Sequence, residues 1–276
     1  MTFWRLMSDM FRLDTRTAAK SSVPRVVVTR SQPGAEALAE ELAAHGMDVL
    51  TSPLLAPHYE ADPQILDYAL HAYVGILATS ANGLFGLHRA CGDEAQDVQP
   101  RCYCVGEGTQ RVAESLGWPA FHPPSVHDGH SLARWIDAEP SIAKGPWLYP
   151  CGAETLDVVP NYLRQRGHEV TSWKVYSMRR LPLSIDDWQS FLVHPALVLF
   201  YSPSAVRACR EQLQSIPGLR RRVQEVAGVV AIGNTTSEAC RQDDWTVVAK
   251  AEKPTTDAVV AAIRSAWPEW LSASSQ

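Results

Sequence analysis

Most of the signatures by which α/β enzymes are identified are missing from this sequence. No G-x-G-x-x-G follows the first apolar run, where "TRSQPGAE" offers Gly34 alone, so there is no dinucleotide fingerprint. There is no phosphate-loop lysine and no G-x-S-x-G nucleophile elbow. The six cysteines (Cys91, Cys102, Cys104, Cys151, Cys209, Cys240) include no C-x-x-C pair, which points to reduced thiols rather than a disulfide framework or a zinc site. No apolar stretch approaches the ~20 residues that span a bilayer, so no membrane association is expected. Basic charge is also sparse. The net charge is −5 and the densest basic run is Arg220-Arg221-Arg222, read as a solvated helix end. Nothing there would track a phosphate backbone, so no nucleic-acid partner is expected. In the first 22 residues Asp9 and Asp14 interrupt Trp4, Leu6, Met7, Phe11 and Leu13, which fits neither a signal nor a transit peptide. Residues 1–24 are therefore expected to be a poorly ordered extension of a cytoplasmic protein.

What is present is an ordinary globular composition, 46% hydrophobic and 20% charged over 276 residues, carrying an internal repeat. Val26-Val27-Val28 reads as a strand, Ala35, Leu38 and Leu42 as the apolar face of a helix, Gly46 as its stop, and Val49-Leu50 as the next strand. Shifted by 121, "VVVTRSQPGAEALAEELAAHGMDV" lies without a gap on "WLYPCGAETLDVVPNYLRQRGHEV". "GILATSANGLFGL" pairs with "LVLFYSPSAVRAC" at 122, and "CVGEGTQRVAESLG" with "AIGNTTSEACRQDD" at 127. The last pairing sets Gly106 on Gly233 and Thr109 on Thr236. Segments recurring in one order at nearly constant spacing indicate duplication. Strands alternating with helices imply an α/β fold of two similar parallel-sheet domains, flavodoxin-like or Rossmann-like. The Pro-rich tracts 51–63 and 171–184 also correspond, and they read as hinge strands rather than core.

Ligands of parallel α/β sheets sit at the carboxyl ends of the strands. Three polar turns stand there in each copy: Thr29-Arg30-Ser31, Thr79-Ser80-Ala81 and Gly106-Glu107-Gly108-Thr109, then Pro150-Cys151-Gly152, Ser202-Pro203-Ser204 and Gly233-Asn234-Thr235-Thr236. Hydroxyls at helix starts serve as caps, and the N–H groups beside them bind anions. Turns repeated in both copies suit a large, multiply anionic ligand, with Arg30, Lys174, Arg179, Arg180, Arg207 and Lys253 as available cations. "HPPSVHDGH" contains His122, His127, His130 and Asp128, but without helical spacing for all three histidines, so no metal site is expected.

Together "VVVTR", "ATSANG", "CVGEGTQRVAESLG", "WKVY", "FYSPSAV", "AIGNTTSEA" and "KPTTDAVVAAI" resemble the uroporphyrinogen-III synthase family over about residues 25–266. The resemblance implies that the chain leaves its first domain, builds the second and returns. Domain one would be 25–53 plus 178–268 and domain two 56–174, with 54–55 and 175–177 as a two-stranded hinge. It also implies a cofactor-free, metal-free enzyme, expected as a monomer. The enzyme would act in the cleft between the lobes on hydroxymethylbilane, a linear tetrapyrrole with eight carboxylates. The terminal hydroxyl leaves as water, ring D is inverted through a spiro intermediate, and the macrocycle closes as uroporphyrinogen III. Tyr176 matches the family tyrosine that assists hydroxyl departure. Ser80, Thr109, Ser202, Thr235 and Thr236 match polar turn positions that bind substrate, and Arg30 the basic residue after the first strand. Asn234 stands where relatives often carry proline, and Cys151-Gly152 replaces a more usual glycine-containing turn. The alternative is a non-catalytic two-lobed tetrapyrrole-binding or regulatory protein.

Overall fold

The computed structural model describes residues 23–32, 34–61, 69–92, 100–142, 144–155, 157–216 and 218–273. The extension up to residue 22 lies outside the described residues, as do the last two positions of the tract 51–63. The chain opens with β1 (Arg25–Val28), α1 (Gly34–Ala44), β2 (Asp48–Thr51) and β3 (Leu55–His58). Next come β4 (Gly75–Ala78), α2 (Ala81–Cys91), β5 (Cys102–Cys104), α3 (Glu107–Ser115), β6 (Ala120–Phe121) and α4 (Gly129–Ala138). The repeat of the opening motif is β7 (Pro146–Gly152), α5 (Val158–Arg164) and β8 (Glu169–Arg180). The chain finishes with α6 (Ile185–Phe191), β9 (Ala196–Phe200), α7 (Pro203–Gln214), α8 (Leu219–Val226), β10 (Ala227–Ile232), α9 (Gly233–Gln242), β11 (Val247–Ala251) and α10 (Thr256–Ala273).

Two compact units result. One takes the chain up to Ala56 and again from Arg180, and the other is Pro57–Arg179. The first unit's sheet runs β11-β10-β9-β1-β2, with every pair parallel. The second unit's runs β3-β8-β7-β4-β5-β6, parallel from β8 to β6. Replacing each strand by its repeat partner turns one order into the other: β2-β1-β9-β10-β11 corresponds to β8-β7-β4-β5-β6. Glycines matched by the repeat share a backbone conformation, with φ of 82° and 85° at Gly46 and Gly167, and of 83° and 76° at Gly106 and Gly233.

The central strands β9 (ALVLF) and β10 (AGVVAI) are buried at every position. That is the pattern of a parallel sheet covered on both faces. In the second unit β4 splits its side chains between two cores. Ile76 and Ala78 pack with Leu84, Leu87, Trp173 and Val175, while Leu77 packs with Leu132, Trp147, Tyr149 and Leu163. Trp173 and Val175 thus belong to a core, although the tract holding them reads as hinge in the sequence. The reason is that alternate residues of β8 face α2, which lies against them.

The Arg220-Arg221-Arg222 run also differs from its sequence reading. Arg221 does reach water, pairing with Glu225 at 3.0 Å, but Arg220 turns inward to Asp243. The Asp243 side chain is 7% exposed. Its Oδ1 lies 3.0 Å from Arg220 Nη2 and 3.5 Å from Arg210 Nη1, and its Oδ2 accepts from Trp245 Nε1 at 3.1 Å. One carboxylate thereby joins α7, α8 and the end of α9.

Candidate active site

The carboxyl end of the second unit's sheet is shaped by two glycines. A Cβ on Gly83 would meet the Pro150 carbonyl at 2.6 Å, and one on Gly86 the Val175 carbonyl at 2.6 Å. Helix α2 can therefore lie directly on the backbones of β7 and β8. Gly86→Ala is expected to destabilise the protein by about 2 kcal/mol through overpacking, read as a lower denaturant midpoint. Gly108→Ala, where an added Cβ meets nothing within 4 Å, should leave the midpoint level or raise it.

That close seat brings the first turn of α2 to Tyr176. Ser80 caps the helix, its Oγ accepting from the Gly83 N–H at 3.1 Å, and lies 3.5 Å from the Tyr176 hydroxyl. With one lone pair of Ser80 engaged by Gly83, its own proton is free for the Tyr176 oxygen. The phenol proton of Tyr176 is then free to be donated elsewhere. Gly152 leaves the space that the Tyr176 ring fills: a Cβ there would come within 2.9 Å of it. The Ala153 N–H donates to the Tyr176 carbonyl at 2.8 Å, fixing the backbone beside the ring.

Two more phenols reach the same turn. The Tyr149 hydroxyl lies 3.4 Å from Thr79 Oγ1, and Tyr59 donates to Asn82 Oδ1 at 3.1 Å. The Arg89 guanidinium sits 4.6 Å over the Tyr59 ring. Burial pushes the phenols of Tyr149 and Tyr59 above their ordinary value, with Thr79 and Arg89 respectively pulling the other way. Both are therefore protonated donors at neutral pH. Burial likewise pushes the Cys151 thiol beside the turn up to about 11, so it is no nucleophile there. Sequence reading did not select Tyr149, Tyr59 or Asn82. Tyr149 lies in the middle of β7, Tyr59 just beyond β3 and Asn82 in the first turn of α2, and their meeting depends on a strand order that the sequence does not display.

In the first unit the matching capped turn is built on Ser202. Its Oγ accepts from Ala205 N–H at 3.2 Å, and its backbone (φ −156°, ψ 154°) repeats that of Ser80 (φ −152°, ψ 150°). Arg30 follows β1, with its guanidinium 5.0 Å from the Tyr201 ring centre, and so stands beside the Ser202 turn. Burial raises the Tyr201 phenol, and the Arg30 charge opposes that. Thr29, just before, is fully buried and donates to the Leu199 carbonyl at 2.5 Å.

The threonine turns differ from the serine turns. Helices α3 and α9 start after Gly106 and Ile232 with no side-chain cap. Thr109 is 9% and Thr236 2% exposed, so both side chains face inward, whereas Thr235 is exposed. What these two turns present is backbone N–H and, at α9, the Thr235 hydroxyl and Asn234. Lys250 Nζ donates to Asn234 Oδ1 and lies 2.8 Å from Glu252. Sequence reading missed this lysine, which the end of β11 carries to the α9 turn. Of the proposed cations, Arg180 is paired with Glu211 and Arg207 bonds Ser204.

The histidine-rich stretch is used locally. His122 Nδ1 meets the Gly106 N–H and the Cys104 carbonyl, Asp128 forms a capping box with Ser131 at the start of α4, and His130 packs on Tyr162. Among the described residues no cluster of three or more His, Cys, Asp or Glu could hold a metal ion. Nor is any described helix long and apolar enough to cross a membrane.

Comparison with known proteins identifies the family of the chain. The family model described as uroporphyrinogen-III synthase HemD matches residues 36–261. That span contains Ser80, Thr109, Tyr176, Ser202, Thr235 and Thr236, and Arg30 lies just before it. The chloroplastic uroporphyrinogen-III synthase of Oryza sativa subsp. japonica is 27% identical over 234 residues, covering 79% of this chain and 72% of that protein. The fold is shared with uroporphyrinogen-III synthetase of Helicobacter pylori (TM-score 0.60, 16% identity, 88% of this chain and 99% of that one). It is shared too with a mutant uroporphyrinogen III synthase of Thermus thermophilus (TM-score 0.57, 18% identity, 90% and 100%). A family match that runs through both sheets and nearly every strand-end turn described above makes this chain a member of the uroporphyrinogen-III synthase family.

Proposed function

We propose that the chain is a uroporphyrinogen-III synthase, a lyase that dehydrates and cyclises hydroxymethylbilane with inversion of ring D and needs no cofactor. The observation that carries the reading is the seat of Tyr176 within hydrogen-bond reach of the capped Ser80 turn. The apposition is loose at 3.5 Å, as such contacts often are before a substrate is bound. In this reading the Tyr176 phenol gives its proton to the departing hydroxyl. The pyrrole that bears the hydroxymethyl group supplies the electron pair that expels it, and water leaves. Ser80, donating to the Tyr176 oxygen, offsets the charge that grows there.

The carboxylates of the substrate are assigned to the turns. Ser80 and Ser202 hold the starts of α2 and α7. The uncapped starts of α3 and α9, with Thr235, offer N–H groups at the positive ends of helix dipoles. Thr109 and Thr236 act from inside, fixing those two turns, and Arg30 supplies a cation beside the Ser202 turn. Uptake of the substrate between the lobes is part of this proposal and rests on the family resemblance. Free hydroxymethylbilane closes without inversion to the symmetric isomer, so the larger share of the work is holding the chain in the inverting geometry. The test is to supply fresh hydroxymethylbilane and separate the products. Isomer III is expected to accumulate; isomer I alone, at the rate seen without protein, would sink the reading.

A further inference from the structure

The turn Thr79–Asn82 is met by three phenols that come from three neighbouring stretches of one sheet. Tyr149 belongs to β7, Tyr176 to β8, and Tyr59 follows β3, and these strands are adjacent in the order β3-β8-β7-β4. The turn itself leaves the end of β4. Tyr149 packs in the core on one face of the sheet and Tyr176 against the core on the other. Thr79 and Ser80, consecutive residues, meet one phenol each from those two faces, at 3.4 Å and 3.5 Å. Tyr59 closes the third side through Asn82 and sets its ring edge-on to Phe85, 6.4 Å between centroids, one turn along α2.

We propose that Tyr149 and Tyr59 are positioning residues for the reaction at Tyr176. They clamp the turn that carries Ser80, and so fix the distance and direction of the Ser80–Tyr176 pair. The proposal rests on the reading of Tyr176 as the proton donor. Its physical content is directional. Tyr59 can only donate to the Asn82 carbonyl oxygen, which fixes the start of α2 relative to β3. The buried Tyr149 hydroxyl has Thr79 as its partner at the strand end, and a buried phenol hydroxyl leaves such a partner at a cost. Without both anchors the turn keeps the Ser80 cap to Gly83 and the seat of α2 on β7 and β8, but loses its side-chain contacts to Tyr149 and Tyr59. A shift of about 1 Å in such a pair is enough to slow a proton transfer.

Removing a hydroxyl alone separates positioning from packing. Tyr149→Phe and Tyr59→Phe are each expected to lower kcat about five- to tenfold, with KM for hydroxymethylbilane and the denaturation midpoint nearly unchanged. In a Tyr176→Phe background the same substitutions should cost almost nothing further, because they act through Tyr176. Thr79→Val removes the other end of the Tyr149 contact. It should reproduce the loss, and add nothing to Tyr149→Phe. The proposal is overturned if the losses multiply with that of Tyr176→Phe, or if they appear in KM or in stability rather than in kcat. The parallel wild-type reaction keeps the two readings apart. Isomer III there with multiplying losses sinks the positioning role alone, while isomer I alone sinks the assignment of the reaction and the positioning role with it.

Discussion

Tyr176→Phe is expected to slow uroporphyrinogen III formation about a hundredfold, with the symmetric isomer I making up the balance of the product. The ring of phenylalanine fills the same space above Gly152, so the fold should be untouched. What is lost is the hydroxyl that meets Ser80 and can donate to the leaving group. A hundredfold is about 2.7 kcal/mol of barrier, the scale of one positioned acid. The turns proposed to hold the carboxylates remain in the variant. KM should therefore stay near its wild-type value, and some isomer III should still form above the background. If the variant were as inactive as a reaction without protein, the phenol and not the binding geometry would be the main source of rate.

The second large effect lies away from the site. Asp243→Ala is expected to cost about 3 kcal/mol of stability, because it leaves the inward-facing Arg220 and its neighbour Arg210 without their shared carboxylate. It also leaves the buried Trp245 indole N–H without an acceptor. Arg210 and Arg220 keep 37% and 23% of their side chains in contact with water, which holds the cost toward the lower end for a broken ion network. Equilibrium unfolding followed in denaturant checks it. Glu225→Ala, which removes the partner of the outward-facing Arg221, should change stability by less than about 0.5 kcal/mol. Equal losses in the two variants would show that the Asp243 network carries no special weight.

The parts of this molecule that the sequence reveals are those written locally. Strand, helix and stop glycine recur at a fixed spacing, so the repeat and its turns are readable before any contact is known. Ser80 and Ser202 are legible as caps for the same reason: each bonds an N–H three residues on. The clamp around Tyr176 is different in kind. Tyr176 and Ser80 are 96 residues apart, and Tyr149 and Thr79 are 70 apart, so their meeting depends on strand order. Arg220 is misread as solvated for the same reason, since its carboxylate arrives on another helix. The buried sides of Thr109 and Thr236 follow from helix phase. Each sits in the first turn, yet the phase directs it inward, while Thr235 next door points outward.

Central to the proposed function is that the uncapped turns of α3 and α9 hold carboxylates through their backbone N–H groups. Hydrogen exchange at the amides of residues 107–109 and 233–235 tests it most directly, measured with and without saturating uroporphyrinogen III under exclusion of oxygen. The account predicts that exchange at both turns slows when the tetrapyrrole is bound, together with that of the Ser80 and Ser202 turns. Exchange unchanged at both uncapped turns, with the tetrapyrrole demonstrably bound, would contradict it.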